Sequence, residues 1–138
     1  MIINTMLDKG AFMPVKAHES DAGFDIKTPR KVFLVARGSA TIDTGVHMEI
    51  PHGYVGMLKS KSGLNVNHGI RCEGAIDSGY TGSIRVKMYN DSDKSYYFDE
   101  GEKITQIVIL PIPDVELVEV DSLSATERGD NGFGSSGR

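Results

Sequence analysis

Ile42, Thr44, Val46, Met48 and Ile50 occupy every second position, with Asp43, Gly45, His47 and Glu49 between them. A period of two sends alternate side chains to opposite faces, so this run predicts a half-buried β-strand. Ile84, Val86 and Met88 alternate in the same way with Arg85, Lys87 and Tyr89. Lys31 to Val35, Tyr54 to Leu58, Ile104 to Leu110 and Val115 to Val120 are further strand candidates. Turn-forming clusters separate them: Ala36-Arg37-Gly38-Ser39, Pro51-His52-Gly53, Asn90-Asp91-Ser92-Asp93 and Pro111-Ile112-Pro113-Asp114. No long apolar stripe recurs at helical spacing, and the best short helix lies near Ser62 to Asn67. Many short strands with turns at near-regular intervals predict an all-β jelly roll or barrel. Such a domain leaves strand edges open, which favours association of subunits.

Composition narrows the function. The 138 residues suffice for one compact domain, and 39% hydrophobic with 25% charged residues is ordinary for a globular protein. A formal net charge of -4 opposes a polynucleotide ligand, which needs a basic face to displace counterions. A single nucleotide needs only a few placed cations. Cys72 is the one cysteine, so an intramolecular disulfide and a Cys-x-x-Cys metal site are both excluded, and a reducing cytoplasm fits. The first residues, MIINTMLDKG, lack the basic-then-apolar pattern of a signal peptide, and Ile107 to Ile112 is too short an apolar stretch to span a bilayer. Neither a membrane nor a nucleic acid is expected as partner. Met6, Met13, Met48, Met57 and Met88 read as core or gap-filling residues.

Five segments carry candidate chemistry. Asp21-Ala22-Gly23-Phe24-Asp25-Ile26 places two acids beside a glycine that permits close backbone approach. The run from Pro51 to Leu64 leads a strand into Lys59-Ser60-Lys61-Ser62-Gly63, whose cations, hydroxyls and backbone N–H groups suit a phosphate. It is not a Walker A loop, and a plain polar turn is the alternative. Gly74-Ala75-Ile76-Asp77-Ser78-Gly79-Tyr80-Thr81-Gly82 suits a β-hairpin presenting Asp77 at a partly buried position with Tyr80 over it. There the carboxylate could take a proton from water, or could simply cap a turn. In Gly101-Glu102-Lys103-Ile104-Thr105-Gln106-Ile107-Val108-Ile109, Gln106 is a polar exception in an apolar strand, tying strands together or pointing into a site. The tail, Arg128 to Arg138, holds one large ring, Phe133, between glycines, with Arg128, Ser135 and Ser136 as anion-binding types. A tail folding over a ligand would use all of these features.

In this order the five segments resemble the five motifs of the trimeric deoxyuridine triphosphatase (dUTPase) family, from about Pro14 to the C-terminus. The resemblance implies a homotrimer of jelly-roll-like β-barrels with active sites shared between subunits. The barrel would span residues 1–127 and a flexible glycine-rich lid 128–138. It implies Mg²⁺-dependent hydrolysis of dUTP to dUMP and pyrophosphate by water attack on the α-phosphorus, keeping uracil out of DNA and supplying dUMP for dTMP synthesis. By the same resemblance, a hairpin from Arg71 to Asp77, with Gly74, Ala75 and Ile76, binds uracil through backbone groups, and Tyr80 packs on the deoxyribose. Asp77 activates water, while Lys61, Ser62, Gly63 and Gln106 serve the phosphates. Arg128, Phe133, Gly134, Ser135 and Ser136 form the lid. The metal is held mainly by substrate phosphates and water, with Asp25 in its outer surroundings. A phage or bacterial origin is implied, and for a phage member a regulatory protein partner as well.

Two positions depart from the family pattern. Lys61 stands where the family usually has Arg, keeping the charge without the planar fork, and Arg71 stands where Asn or Gly is common. Two rival readings follow from the same fold. A dCTP deaminase would carry Glu near the position of Lys87, and zinc deaminases need more than Cys72. A non-catalytic regulatory protein on this scaffold would have no evident need for Asp77 or the tail.

Overall fold

The computed structural model describes residues 1–137. Eleven strands and one short helix follow in the order β1 (Thr5–Leu7), β2 (Phe24–Lys27), β3 (Val32–Leu34), β4 (Ser39–Asp43), β5 (Val46–Met48), β6 (Tyr54–Lys59), α1 (Ser62–His68), β7 (Ile70–Arg71), β8 (Glu73–Ile76), β9 (Arg85–Asn90), β10 (Tyr96–Phe98) and β11 (Lys103–Pro111). A four-stranded sheet has the order β2-β11-β6-β8, and a three-stranded sheet the order β4-β9-β7. Two ribbons, β1-β5 and β3-β10, complete an all-β, jelly-roll-like fold. Every pairing is antiparallel.

Alternation explains why these segments are strands. Val86, Met88 and Asn90 of β9 face inward while Arg85 and Lys87 face water. Ile26, Leu34, Ile42, Val86, Phe98 and Ile107, drawn from both sheets and from the β3-β10 ribbon, close one continuous core. Each such fully buried side chain contributes about 1.5–3 kcal/mol relative to exposure. Among the methionines, Met48 and Met88 lie in the core, whereas Met6 and Met13 are exposed, contrary to the expectation from sequence.

Four differences from the sequence reading have physical causes. The run from Ile42 to Ile50 is two strands, because Gly45 takes φ 66° and the chain changes partner there, from β9 to β1. Its alternation still holds, since Ile42, Thr44, Val46, Met48 and Ile50 are all buried. The segment from Arg71 to Asp77 is not a hairpin. β7 pairs with β9 and β8 with β6, so the chain crosses between sheets at Cys72. β8 is therefore an edge strand, with one side of its backbone unpaired. Val115 to Val120 forms no strand and is wholly exposed, because no partner edge reaches it within one chain. The helix foreseen near Ser62 to Asn67 is present and one residue longer, ending on Gly69 in the left-handed conformation. Among the described residues, no helix is long and apolar enough to cross a membrane.

Candidate active site

The middle of the four-stranded sheet aligns Asp25 of β2, Gln106 of β11 and Lys59 of β6 on one rung. Asp25 is buried, and its carboxylate oxygens accept separately from Lys61 Nζ and from Lys103 Nζ, the latter at 2.7 Å. Burial alone pushes the Asp25 carboxyl up, but hydrogen bonds and charge from Lys103 and Lys61 outweigh it and hold the group below the usual carboxylate range. Gln106 donates from Nε2 to Ser60 O at 3.3 Å. Its side chain also fills the space beside Gly23, where an added Cβ would lie 2.5 Å from Oε1. The amide thus ties the first and second segments together across β11, the first of its two sequence alternatives.

Beyond β6 the chain turns into α1. Ser60 Oγ donates to Cys72 O at 3.0 Å and accepts from Cys72 N at 3.0 Å, locking the turn to the point where β7 gives way to β8. Lys61 is the N-cap in extended conformation without a side-chain cap, and the first intrahelical bond runs from Asn65 N to Lys61 O. The N–H groups of Ser62, Gly63 and Leu64 precede it and have no acceptor within the helix. A cleft of about 310 Å³ beside this turn is lined by Lys59, Ser60, Asn65, Arg71, Cys72 and Glu73. Arg71 itself is engaged elsewhere, donating to Asp91 Oδ2 at 2.6 Å and stacking on Tyr89 at 4.6 Å. That contact gives its side chain a structural job.

At the far end of β8, Asp77 O accepts from Tyr80 N at 3.2 Å, closing a turn. Tyr80 Oη donates to Ser83 O at 2.9 Å, so the ring folds back over Gly82. Asp77 is exposed in the single chain, not partly buried as its sequence surroundings predict, because no other part of the same chain covers it. Among the described residues its carboxylate has no hydrogen-bond or ion-pair partner. The tail is freer still. All residues from Leu110 to Gly137 are exposed, and Arg128 Nε reaches only Asn131 O, at 2.8 Å. Phe133 and its neighbours Gly134, Ser135 and Ser136 touch no part of the barrel core. Arg138, foreseen as the end of the lid, lies outside the described residues.

One chain therefore separates the predicted site. Lys59 faces Glu73 and Gly56 faces Ile76, so the β6-β8 ladder puts the Lys61 turn past one end and Asp77 past the other. Three residues of strand rise already span about 10 Å.

The dUTPase family model matches residues 9–137, which takes in the first four segments whole and the fifth as far as Gly137. The chain belongs to the dUTPase family. The deoxyuridine 5'-triphosphate nucleotidohydrolase of Clostridium kluyveri is 40% identical over 134 residues, 95% of this chain and 94% of that protein. The enzyme of the same name from Tropheryma whipplei is 36% identical over 137 residues, covering 96% and 94% of the two chains. Among solved structures, the dUTPase of Staphylococcus bacteriophage 80alpha with dUpNHpp superposes with a TM-score of 0.92, 35% identity and 99% coverage of both chains. Phage dUTPases of that kind are described as controlling transfer of virulence genes by a proto-oncogenic G protein-like mechanism. A mutant dUTPase of the Staphylococcus aureus phage phi11, in which a structural Mg(II) ion is coordinated, matches with a TM-score of 0.82 and 30% identity over 88% of this chain and 98% of that one.

Two residues of this junction and the turn beside it escaped the sequence. Lys103 lies three positions from Gln106, so alternation assigns it to the opposite face. A register irregularity between Lys103 and Thr105 brings it round to Asp25. Ser60 reads as one more polar turn residue, and only the crossing at Cys72 reveals what its hydroxyl holds.

Proposed function

We propose that the chain hydrolyses dUTP to dUMP and pyrophosphate at sites built between the subunits of a cytoplasmic homotrimer, with Asp77 as general base. The observation that carries the reading is the family match from residue 9 to residue 137, which includes the Asp77 loop and the tail to its last glycine. The reading that several subunits are needed rests on the β6-β8 ladder, which sets Asp77 and Lys61 past its opposite ends. A second copy supplies the missing half, and closed symmetry repeats the site in each subunit. Exposed Val115, Leu117, Val118 and Val120 are apolar side chains that a neighbouring subunit would cover.

Mg²⁺ fits this donor set as a substrate-borne ion. Among the described residues no three His, Cys, Asp or Glu side chains gather to cage a metal. Asp25 is already engaged by two ammonium groups, which leaves it in the ion's outer surroundings. Such an ion keeps its phosphate and water ligands. When bound, it neutralises triphosphate oxygens that would otherwise repel a nucleophile.

The chain's own residues do the rest. Lys61, with the N–H groups of Ser62 and Gly63, holds the phosphates, and Gln106 fixes the turn that carries them. The open backbone edge of β8, at Gly74, Ala75 and Ile76, reads the uracil edge by its donor and acceptor pattern. Tyr80 packs on the deoxyribose and leaves no room for a ribose hydroxyl. Asp77 takes a proton from water as that water attacks the α-phosphorus, and pyrophosphate leaves. Arg128, Phe133, Gly134, Ser135 and Ser136 close over the substrate, the ring on uracil and the hydroxyls on phosphate, excluding bulk water. For a phage-encoded member, a regulatory protein partner adds to this activity and does not replace it. A panel of nucleoside triphosphates with Mg²⁺, assayed for pyrophosphate, tests the proposal: release from dUTP alone supports it, and release from dCTP or UTP at a similar rate refutes it.

A further inference from the structure

His47, on β5, faces an acceptor from each ring nitrogen. Nδ1 lies 2.7 Å from Thr81 O and Nε2 lies 3.1 Å from Asp8 Oδ2. A carbonyl and an ionised carboxylate only accept, so both bonds exist together only when the ring is an imidazolium donating from both nitrogens. A neutral ring would turn a lone pair toward one of the two oxygens. Its side chain is 17% exposed, enough cover for the geometry to matter.

Thr81 directly follows Tyr80, and this is where the contact acquires a function. Beyond it the loop is firmly pinned: Ser83 Oγ donates to Asp43 and accepts from Gly45 N at 3.0 Å, Ile84 N donates to Val46 O at 2.8 Å, and Ile84 O accepts from Thr44 N at 3.1 Å and Thr44 Oγ1 at 2.7 Å. Within the stretch from Asp77 to Gly82, Tyr80 N donates to Asp77 O, and Tyr80 Oη donates to Ser83 O just beyond it. Among the described residues, His47 Nδ1 supplies the hydrogen bond that reaches this stretch from outside the loop. We propose that His47 is a positioning residue for sugar selectivity. As an imidazolium bridging Asp8 and Thr81, it holds the Tyr80–Thr81 peptide so that the Tyr80 ring stays closed against a ribose hydroxyl. The inference rests on the reading that Tyr80 packs on the deoxyribose.

The surroundings favour the charged ring. Its bond to Thr81 O, then its bond to Asp8, raise the ring above the ordinary histidine range against the cost of desolvation, with further pull from the charges of Asp8 and Asp43. Asp43 is itself shared with Arg85 at 3.7 Å, and Glu49 on the same side accepts from Asn4 at 2.8 Å. Because the folded value is raised, the bridge is complete at low pH and is lost as pH rises through it.

The test uses the full-length, Mg²⁺-loaded enzyme and follows the ratio of the UTP inhibition constant to the KM for dUTP from about pH 6 to about pH 9. In the unsubstituted protein this ratio falls by about 3- to 10-fold across the titration, the scale of one lost hydrogen bond. His47→Ala has the low ratio at every pH. His47→Gln, whose amide donates to Thr81 without titrating, keeps an intermediate ratio that does not change with pH. Nuclear magnetic resonance of the His47 ring gives a readout independent of turnover, and Asp8→Asn, at a more exposed position, lowers its titration midpoint. A wild-type ratio and pH profile in His47→Ala, or an unmoved midpoint in Asp8→Asn, overturns the inference. Tyr80→Ala separates the two levels. Lost selectivity there with unchanged selectivity in His47→Ala refutes the bridge alone, and retained selectivity in Tyr80→Ala refutes the sugar reading beneath it.

Discussion

The Asp25 junction and the Asp77 loop hang from the same four-stranded sheet and are built on opposite principles. At the junction every group has its partner within one chain: Asp25 with Lys61 and Lys103, Gln106 with Ser60, and Ser60 with Cys72. At the loop, the Asp77 carboxylate stands in solvent with no partner among the described residues, and the tail foreseen to close over the substrate carries a fully exposed ring, Phe133. On the function proposed above, charge placement for phosphate is fixed by folding, while the base that makes the nucleophile is left for assembly to complete.

The largest effect expected from breaking this arrangement is at the loop. Asp77→Asn should reduce turnover by about two or more orders of magnitude while binding of a non-hydrolysable dUTP analogue is largely kept, the signature of a lost general base. Single-turnover kinetics and calorimetric titration measure the two halves. Turnover within a few-fold of normal would remove Asp77 from the mechanism.

Deleting Gly129 to Arg138 should come next, lowering turnover by about 10- to 100-fold through loss of closure, with the oligomer intact by light scattering. A cut after Pro113 also removes the exposed Val115, Leu117, Val118 and Val120, and should weaken assembly itself. An identical oligomer after both cuts would assign those apolar side chains no role in association.

At the junction the expected change is in stability. Asp25→Ala leaves two ammonium groups side by side without their counter-charge and should cost about 1–3 kcal/mol in urea unfolding at fixed protein concentration, discounted because both lysines are partly exposed. The Asp25 carboxyl is held below its ordinary value, so its contribution is whole above the unfolded carboxylate range and disappears as pH falls through the folded value. The wild-type chain should therefore lose stability below about pH 4 along a limb that the variant lacks. Parallel acid limbs in the two proteins would contradict this. Lys61→Arg should be mildest, changing KM for dUTP by less than about 5-fold, since it alters the fork and not the charge.

The same contrast explains what the sequence made legible. Period-two alternation located β9 and the buried face from Ile42 to Ile50, because inward side chains are chosen by the core whichever strand they pair with. It missed the partner change at Gly45 and the crossing at Cys72, since pairing is decided between segments far apart in the chain. The turn from Lys59 to Gly63 was legible as a local polar cluster, and Gln106 as a polar residue in an apolar strand. Lys103 was not, for its route to Asp25 depends on a register shift that leaves no local sign. Val115 to Val120 read as a strand for want of any rule that distinguishes an edge paired within the chain from apolar residues left exposed by it.

Whether the site is shared between subunits is tested most directly by mixing two crippled chains. Asp77→Asn protein and Lys61→Ala protein, unfolded together in equal amounts and refolded, form mixed oligomers. If base and phosphate turn come from different subunits, the mixture recovers about a quarter of the wild-type rate, each site drawing an intact copy of both by chance. If the mixture is no more active than the average of the two variants alone, each site takes its base and phosphate turn from the same chain, and the account of a divided site is wrong.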